Sequence, residues 1–226
     1  MGTQPPISTY STSLGGWLIP GRSWCWMIGL IPPPLAALLD QIEQALQAKL
    51  YYSALIVSLT IPDVCASLEA DPNVGYWSKD IKYAGWFDQH AKHSFHNITG
   101  MDCYFMRGGV IHRGQLSHAK ARFDRIVFMI PGSPFQAHDA IIDIGDHVVI
   151  GGKTRAEITG NYPGRAATGK VLLLDVEKFC RSLSDAARAW IRLKANDPNV
   201  RANLQDLVHY RSEGIPPFMV GFPVIA

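Results

Sequence analysis

Two helical apolar stripes, one towards each end, constrain this chain more than any other feature. Between residues 35 and 59, Leu35, Leu38, Leu39, Ile42, Leu46, Leu50, Ala54 and Val57 recur every three or four positions, the spacing of one face of a long helix. Between 175 and 193, Val176, Phe179, Cys180, Leu183, Ala187, Trp190 and Ile191 repeat the pattern behind Asp175, whose carboxylate suits an N-cap. Each stripe needs a partner to cover it, and packing one on the other gives a helical layer.

The segments between them divide into a helical part and a β part. Pro62 is expected to end the first helix and open a short one over 61–69, before a turn at Asp71-Pro72-Asn73. A helix over 77–89 would bury Ile81, Ala84 and Trp86 or Phe87. Thr99 and Asp102 have the spacing of a capping box, so a helix should run from 100 to about 113, with Gly114 as its left-handed end. Then the period changes: 123–130, 140–144 and 147–150 are β-branched and alternating, with Gly145-Asp146 as a hairpin tip. Residues 155–170 read as an exposed Gly-rich loop, 171–174 as a returning strand, and 203–210 as a last short helix before an apolar, Pro-containing tail.

The resulting expectation is a mostly α, α+β fold: a helical bundle with a small antiparallel β element inserted between helices at about 123–174, all in one domain over 32–226. A chain of 226 residues, 47% hydrophobic and 18% charged, has enough apolar surface for one sizeable core. Residues 1–31 read as an unstructured extension, rich in Ser, Thr, Gly and Pro over 1–20, with Met27 as an alternative start. Its apolar run at 24–31 is too short to span a bilayer, and Arg22 ahead of it makes only a poor signal peptide. The four cysteines, Cys25, Cys65, Cys103 and Cys180, form no C-x-x-C pair, which points to a reducing, cytoplasmic setting without a membrane. A net charge of +2 is too small to define a nucleic-acid surface by itself.

Chemistry concentrates at the end of the 100–113 helix. Arg107 supplies a permanent, planar, five-donor cation that fits phosphate, and His112 exchanges a proton near neutral pH. Together they offer charge stabilisation and acid–base catalysis with no cofactor. Residues five apart on an α-helix lie about 140° apart around its axis, so one chain does not place both on one face. Gly108 and Gly109 beside them imply that something packs close to the helix backbone there.

Arg107-x4-His112 at a helix end resembles the R-x4-6-H motif of the HEPN superfamily, helical domains that include many metal-independent ribonucleases. Ile61-Pro62-Asp63-Val64-Cys65, Trp86-Phe87-Asp88, Asp102-Cys103-Tyr104 and Phe179-Cys180, in this order, are similar to a group of bacterial proteins of unassigned activity. The resemblance implies a homodimer in which two motifs face each other across an RNA-cleaving cleft, often in toxin–antitoxin or antiphage systems with an antitoxin partner. In that reading Arg107 holds the scissile phosphate, His112 transfers the proton, and Asp102 and Tyr104 support them. The family often has a polar residue after the arginine, where this chain has Gly108.

Other readings compete. Arg107 pairing with a carboxylate such as Asp102 or Asp63, and His112 as a dipole-stabilised helix-end histidine, would make the same helix a structural element of a non-catalytic dimerisation or interaction protein. His90, His93 and His96 beside Asp88 form a weaker metal-binding alternative, and Asp139, Asp143 and Asp146 near His138 and His147 another. Arg113 and His118 repeat the R-x4-H spacing in a polar segment. Lys153, Arg155, Arg165 and Lys170, with Tyr162 for stacking, could follow a nucleic-acid backbone, although a solvated loop explains them as well.

Overall fold

In a computed structural model, the structure describes residues 31–74, 80–116, 120, 122–133, 137–144 and 169–226. The expected strand at 147–150, the hairpin tip Gly145-Asp146, His118, and the loop residues Lys153, Arg155, Tyr162 and Arg165 lie outside the described residues. Within them the fold is mostly helical with small strand elements, an α+β architecture.

The first stripe becomes two helices. Helix α1, Pro33–Gln47, buries Leu35, Leu39, Ile42 and Leu46. The chain then turns at Lys49, whose φ of 58° is left-handed, and Leu50 N–H donates to Ala45. Helix α2, Tyr51–Leu68, restarts with Ala54, Leu55 and Leu59 buried, while Leu50 is exposed. An unbroken 35–59 helix is therefore corrected: the apolar spacing continues in phase across the break. Pro62 does not end α2 either. An interior proline costs a helix about 3 kcal/mol, and burial of Ile61, Cys65 and Leu68 offsets that cost. Among the described residues α2 alone is long and apolar enough to cross a membrane, and its buried residues are part of the core of this domain.

Helix α3, Asp80–His90, buries Tyr83, Ala84, Trp86 and Phe87, whereas Ile81, expected inside, is exposed. The Tyr83 hydroxyl donates to the Leu59 carbonyl at 2.9 Å, so the tyrosine occupies the buried position facing α2. After a short 3-10 turn, Lys92–Ser94, helix α4 spans Gly100–Arg113. It has both halves of the Thr99–Asp102 capping box and ends on Gly114 at φ 62°. A Cβ on Gly100 would lie 2.2 Å from the Ala84 carbonyl oxygen, so only glycine lets α3 and α4 cross this closely.

Strands β1, Arg125–Met129, and β2, Ala140–Ile144, flank β3, Gly169–Asp175. β3 pairs antiparallel with β2 and parallel with β1, so the small sheet is mixed. Gly169 and Lys170, expected in a loop, are its first two residues. Val171, Leu172, Leu173 and Leu174 are all buried, which is why the central strand reads as a continuous apolar run.

Asp175 ends β3 and caps α5, Val176–Lys194, by accepting from Lys178 N–H. The predicted inward residues of α5 are all buried, and its Trp190 indole N–H donates to Glu69 at 2.5 Å. Helix α6, Pro198–Asn203, follows. The expected 203–210 helix is displaced towards the N-terminus, because Asn203 turns its amide onto the Leu68 and Ala70 carbonyls at 3.0 and 2.8 Å and closes the end of α2. The tail forms two antiparallel ribbons, β4 (Tyr210–Arg211) with β7 (Val224–Ile225) and β5 (Gly214–Ile215) with β6 (Met219–Val220).

Candidate functional site

Helix α4 fixes the positions of Arg107 and His112. Its buried residues Asp102, Cys103, Met106, Gly109 and Val110 face the core, held at the N-terminus by the capping box and at the C-terminus by Gly114. Arg107 emerges at the edge of this buried face. Its Nη2 lies 2.5 Å from Oδ2 of Asp63 on α2, and its guanidinium carbon sits 5.9 Å from the centroid of the Tyr83 ring on α3. The arginine and aspartate side chains are only 20% and 13% exposed. A flat, delocalised cation lying beside an aromatic ring and a carboxylate is held in one orientation. Arg107 Nε, also buried, makes no hydrogen bond.

His112 is exposed on the last turn of the same helix, followed by Arg113. A cation there is favoured by the partial negative charge of the helix C-terminus. Five residues of α-helix separate the two groups by about 7.5 Å along the axis as well as by about 140° around it. The surface near them is open, since nothing comes within 4 Å of a Cβ built on Gly108, and Tyr104, Phe105 and Ile111 are partly exposed. The close packing that the two glycines implied is absent at Gly108, whereas Gly109 is buried.

Of the two expected supporting residues, Asp102 lies away from the pair and Tyr104 lies near Arg107. Asp102 is at the opposite end of α4, about 15 Å along the axis from His112. Its carboxylate accepts from Thr99 N–H and Oγ1 at 2.9 and 2.7 Å, and takes a fork from Arg122, with Nε at 3.0 Å and Nη2 at 2.5 Å. Burial raises its pKa, but hydrogen bonds from Arg122 and Thr99 outweigh that and hold it below the ordinary value. Tyr104 packs edge-on against Tyr83 at 5.6 Å, next to the ring under Arg107. Sequence reasoning missed Arg122, which stands outside any helix or strand and carries no periodic signal.

The histidine group is dispersed. His90 ends α3 against Trp86, with burial lowering its pKa, His93 is on the 3-10 turn, and His96 lies beyond it. Among the described residues no three His, Cys, Asp or Glu side chains are disposed to hold a metal ion. Asp139, suggested for the second metal site, instead accepts from the backbone N–H groups of His96 and Asn97, fastening the start of β2 to the segment that enters α4. Of that group Asp146 and His147 are outside the described residues. A shallow groove of about 350 Å³ between α2 and α3, walled by Glu69, Trp86 and His90, includes neither Arg107 nor His112. Cys65, Cys103 and Cys180 are buried free thiols whose pKa values burial pushes up, which disfavours nucleophilic thiolates.

Fold and site together define an α-rich α+β domain carrying an oriented arginine and an exposed histidine on the closing turns of one helix. No protein-family model, curated protein or solved structure matches the chain.

Proposed function

We propose that this is a cytoplasmic HEPN-type protein that acts on RNA as a homodimer, a metal-independent endoribonuclease of the kind found in toxin–antitoxin or antiphage systems. The observation that carries this reading is the placement of Arg107 and His112: the guanidinium oriented by Asp63 and Tyr83, the imidazole exposed, and the helix surface beside them open at Gly108. In such a reaction the 2′-hydroxyl attacks the adjacent phosphorus and the 5′-oxygen leaves. An imidazole supplies proton transfer, while a guanidinium balances charge on the phosphoryl oxygens. Because the two groups diverge on one helix, the reading requires a second copy to complete a site, which is why it includes a dimer.

A second reading is favoured by the Arg107–Asp63 ion pair itself. Two partly buried, mutually neutralised charges are a common device for locking helices together, and α4 would then be a structural element of a non-catalytic interaction protein. Incubation of the full chain with single-stranded RNA, with and without chelator, separates the two. Cleavage that His112→Ala abolishes supports the nuclease, whereas absence of both cleavage and RNA binding supports the interaction protein.

A further inference from the structure

The C-terminal ribbons carry a surface that the RNA reading does not use. Tyr210, Phe218, Met219, Val220, Phe222 and Ile225 are all exposed there, Phe218 at 88% and Ile225 at 77%. Tyr210 and Ile225 are direct partners in the β4–β7 register, so their side chains project from the same face of that ribbon. Each ribbon consists of only two paired positions, and an isolated two-stranded ribbon is marginal in water unless an apolar face is covered.

We infer that these ribbons are a homotypic interface, the docking surface for a second copy of this chain. The three exposed aromatic rings offer on the order of 400 Å² of apolar area, about half of what one partner contributes to a standard-size interface, and their aliphatic neighbours add to it. From Gly214 to Ala226 the sequence has no Asp, Glu, Lys or Arg side chain. That stretch offers little to a charged partner such as nucleic acid or an anionic membrane, and Arg211 on β4 turns its guanidinium onto the Gln205 and Ala226 carbonyls. Two identical copies meeting through 214–226 across a two-fold axis bring no like side-chain charges of that stretch together and form the charge-depleted centre typical of interfaces. None of the ribbon residues belongs to α4, so this contact adds to the dimer proposed above.

The test is the mass of the full chain by sedimentation or light scattering from about 1 to about 100 µM, a range that covers ordinary homodimer affinities. Phe218→Asp combined with Phe222→Asp should halve that mass: from two chains to one if the ribbons are the only contact, from four to two if the α4 contact also forms. Far-UV circular dichroism checks that the helical body is retained. Amide exchange of the unmodified protein is a second readout that does not depend on a variant folding, and protection over 208–226 should rise with concentration. A mass that the double substitution leaves unchanged, a wild type that stays monomeric, or exchange independent of concentration overturns the inference. Uptake of the ribbons by neutral phosphatidylcholine vesicles without self-association overturns it too. A monomeric wild type would also remove the second copy that the RNA reading requires, whereas RNA cleavage retained by the double variant shows that reading standing apart from this contact.

Discussion

Nη2 of Arg107 on α4 lies 2.5 Å from Oδ2 of Asp63 on α2, while His112, five residues further along α4, is exposed. One member of the pair is therefore tied into the bundle and the other is free to meet a ligand. The proposed chemistry and the structural alternative predict different responses at the two positions.

His112→Ala should abolish RNA cleavage and leave thermal stability within about 0.5 kcal/mol, the usual range for an exposed substitution. Arg107→Ala should lower stability by about 2 kcal/mol, because it takes the cation out of a largely buried ion pair that ties α4 to α2. It should also weaken RNA binding. Denaturation midpoints and gel-based cleavage assays on the same preparations check both, and equal activity in the wild type and the His112 variant would remove histidine from the mechanism.

Cleavage should survive EDTA, since the proposed site relies on a guanidinium and an imidazole. Activity lost on chelation and restored by zinc or manganese would move the chemistry to a metal site.

Acid should destabilise the fold through Asp102. Its pKa is lowered in the folded state by the Arg122 and Thr99 hydrogen bonds against the opposing effect of burial. Its contribution is thus complete above the unfolded pKa near 4 and is lost as pH falls through the lower folded value. Urea midpoints measured between about pH 5 and pH 2.5 should fall more steeply for the wild type than for Asp102→Asn.

His138 should add a dependence at higher pH. Its Nδ1 accepts from Asp175 N–H at 3.3 Å beside Phe95, and burial lowers its pKa despite Asp139 and Asp175 and together with Lys178. Stability present above the unfolded value of about 6.5 should be lost as pH falls through the folded one. A melting temperature that drops between about pH 7.5 and 5.5, with a smaller drop in His138→Gln, is the expected result. The same slope in both proteins would assign it to another group, such as His90, whose pKa is also lowered by burial.

Gly100→Ala should cost about 3 kcal/mol or prevent folding, since the added methyl would meet Ala84 backbone at 2.2 Å and neither helix can shift without repacking. Gly108→Ala, in open space on the same helix, should instead stabilise by up to about 1 kcal/mol. Parallel melts of the two variants test this, and similar effects from both would show that α3 and α4 do not cross as described.

Features that depend on neighbours in the chain were legible in the sequence. The capping box of α4, its Gly114 terminus, the Asp175 cap and the buried stripe of α5 all involve groups within one or two turns of each other. Segments whose conformation depends on distant groups were misread. Ala48, Lys49 and Leu50 contain no turn residue, and the break there follows from folding α2 back over α1. Pro62 is tolerated because of burial on the same helix face. Ile81 yields the inner position to Tyr83, whose hydroxyl finds the Leu59 carbonyl.

The sequence by itself determined which residues form α4 and α5, where β3 lies, and that Arg107 and His112 occupy one helix, because caps and apolar periodicity act over a few residues. Only the tertiary structure decided that Asp63 rather than Asp102 receives Arg107, that Arg122 takes Asp102, and that the three histidines diverge. Ion pairs between elements depend on how helices cross and on which side chains are desolvated together, and neither property is encoded by spacing along the chain.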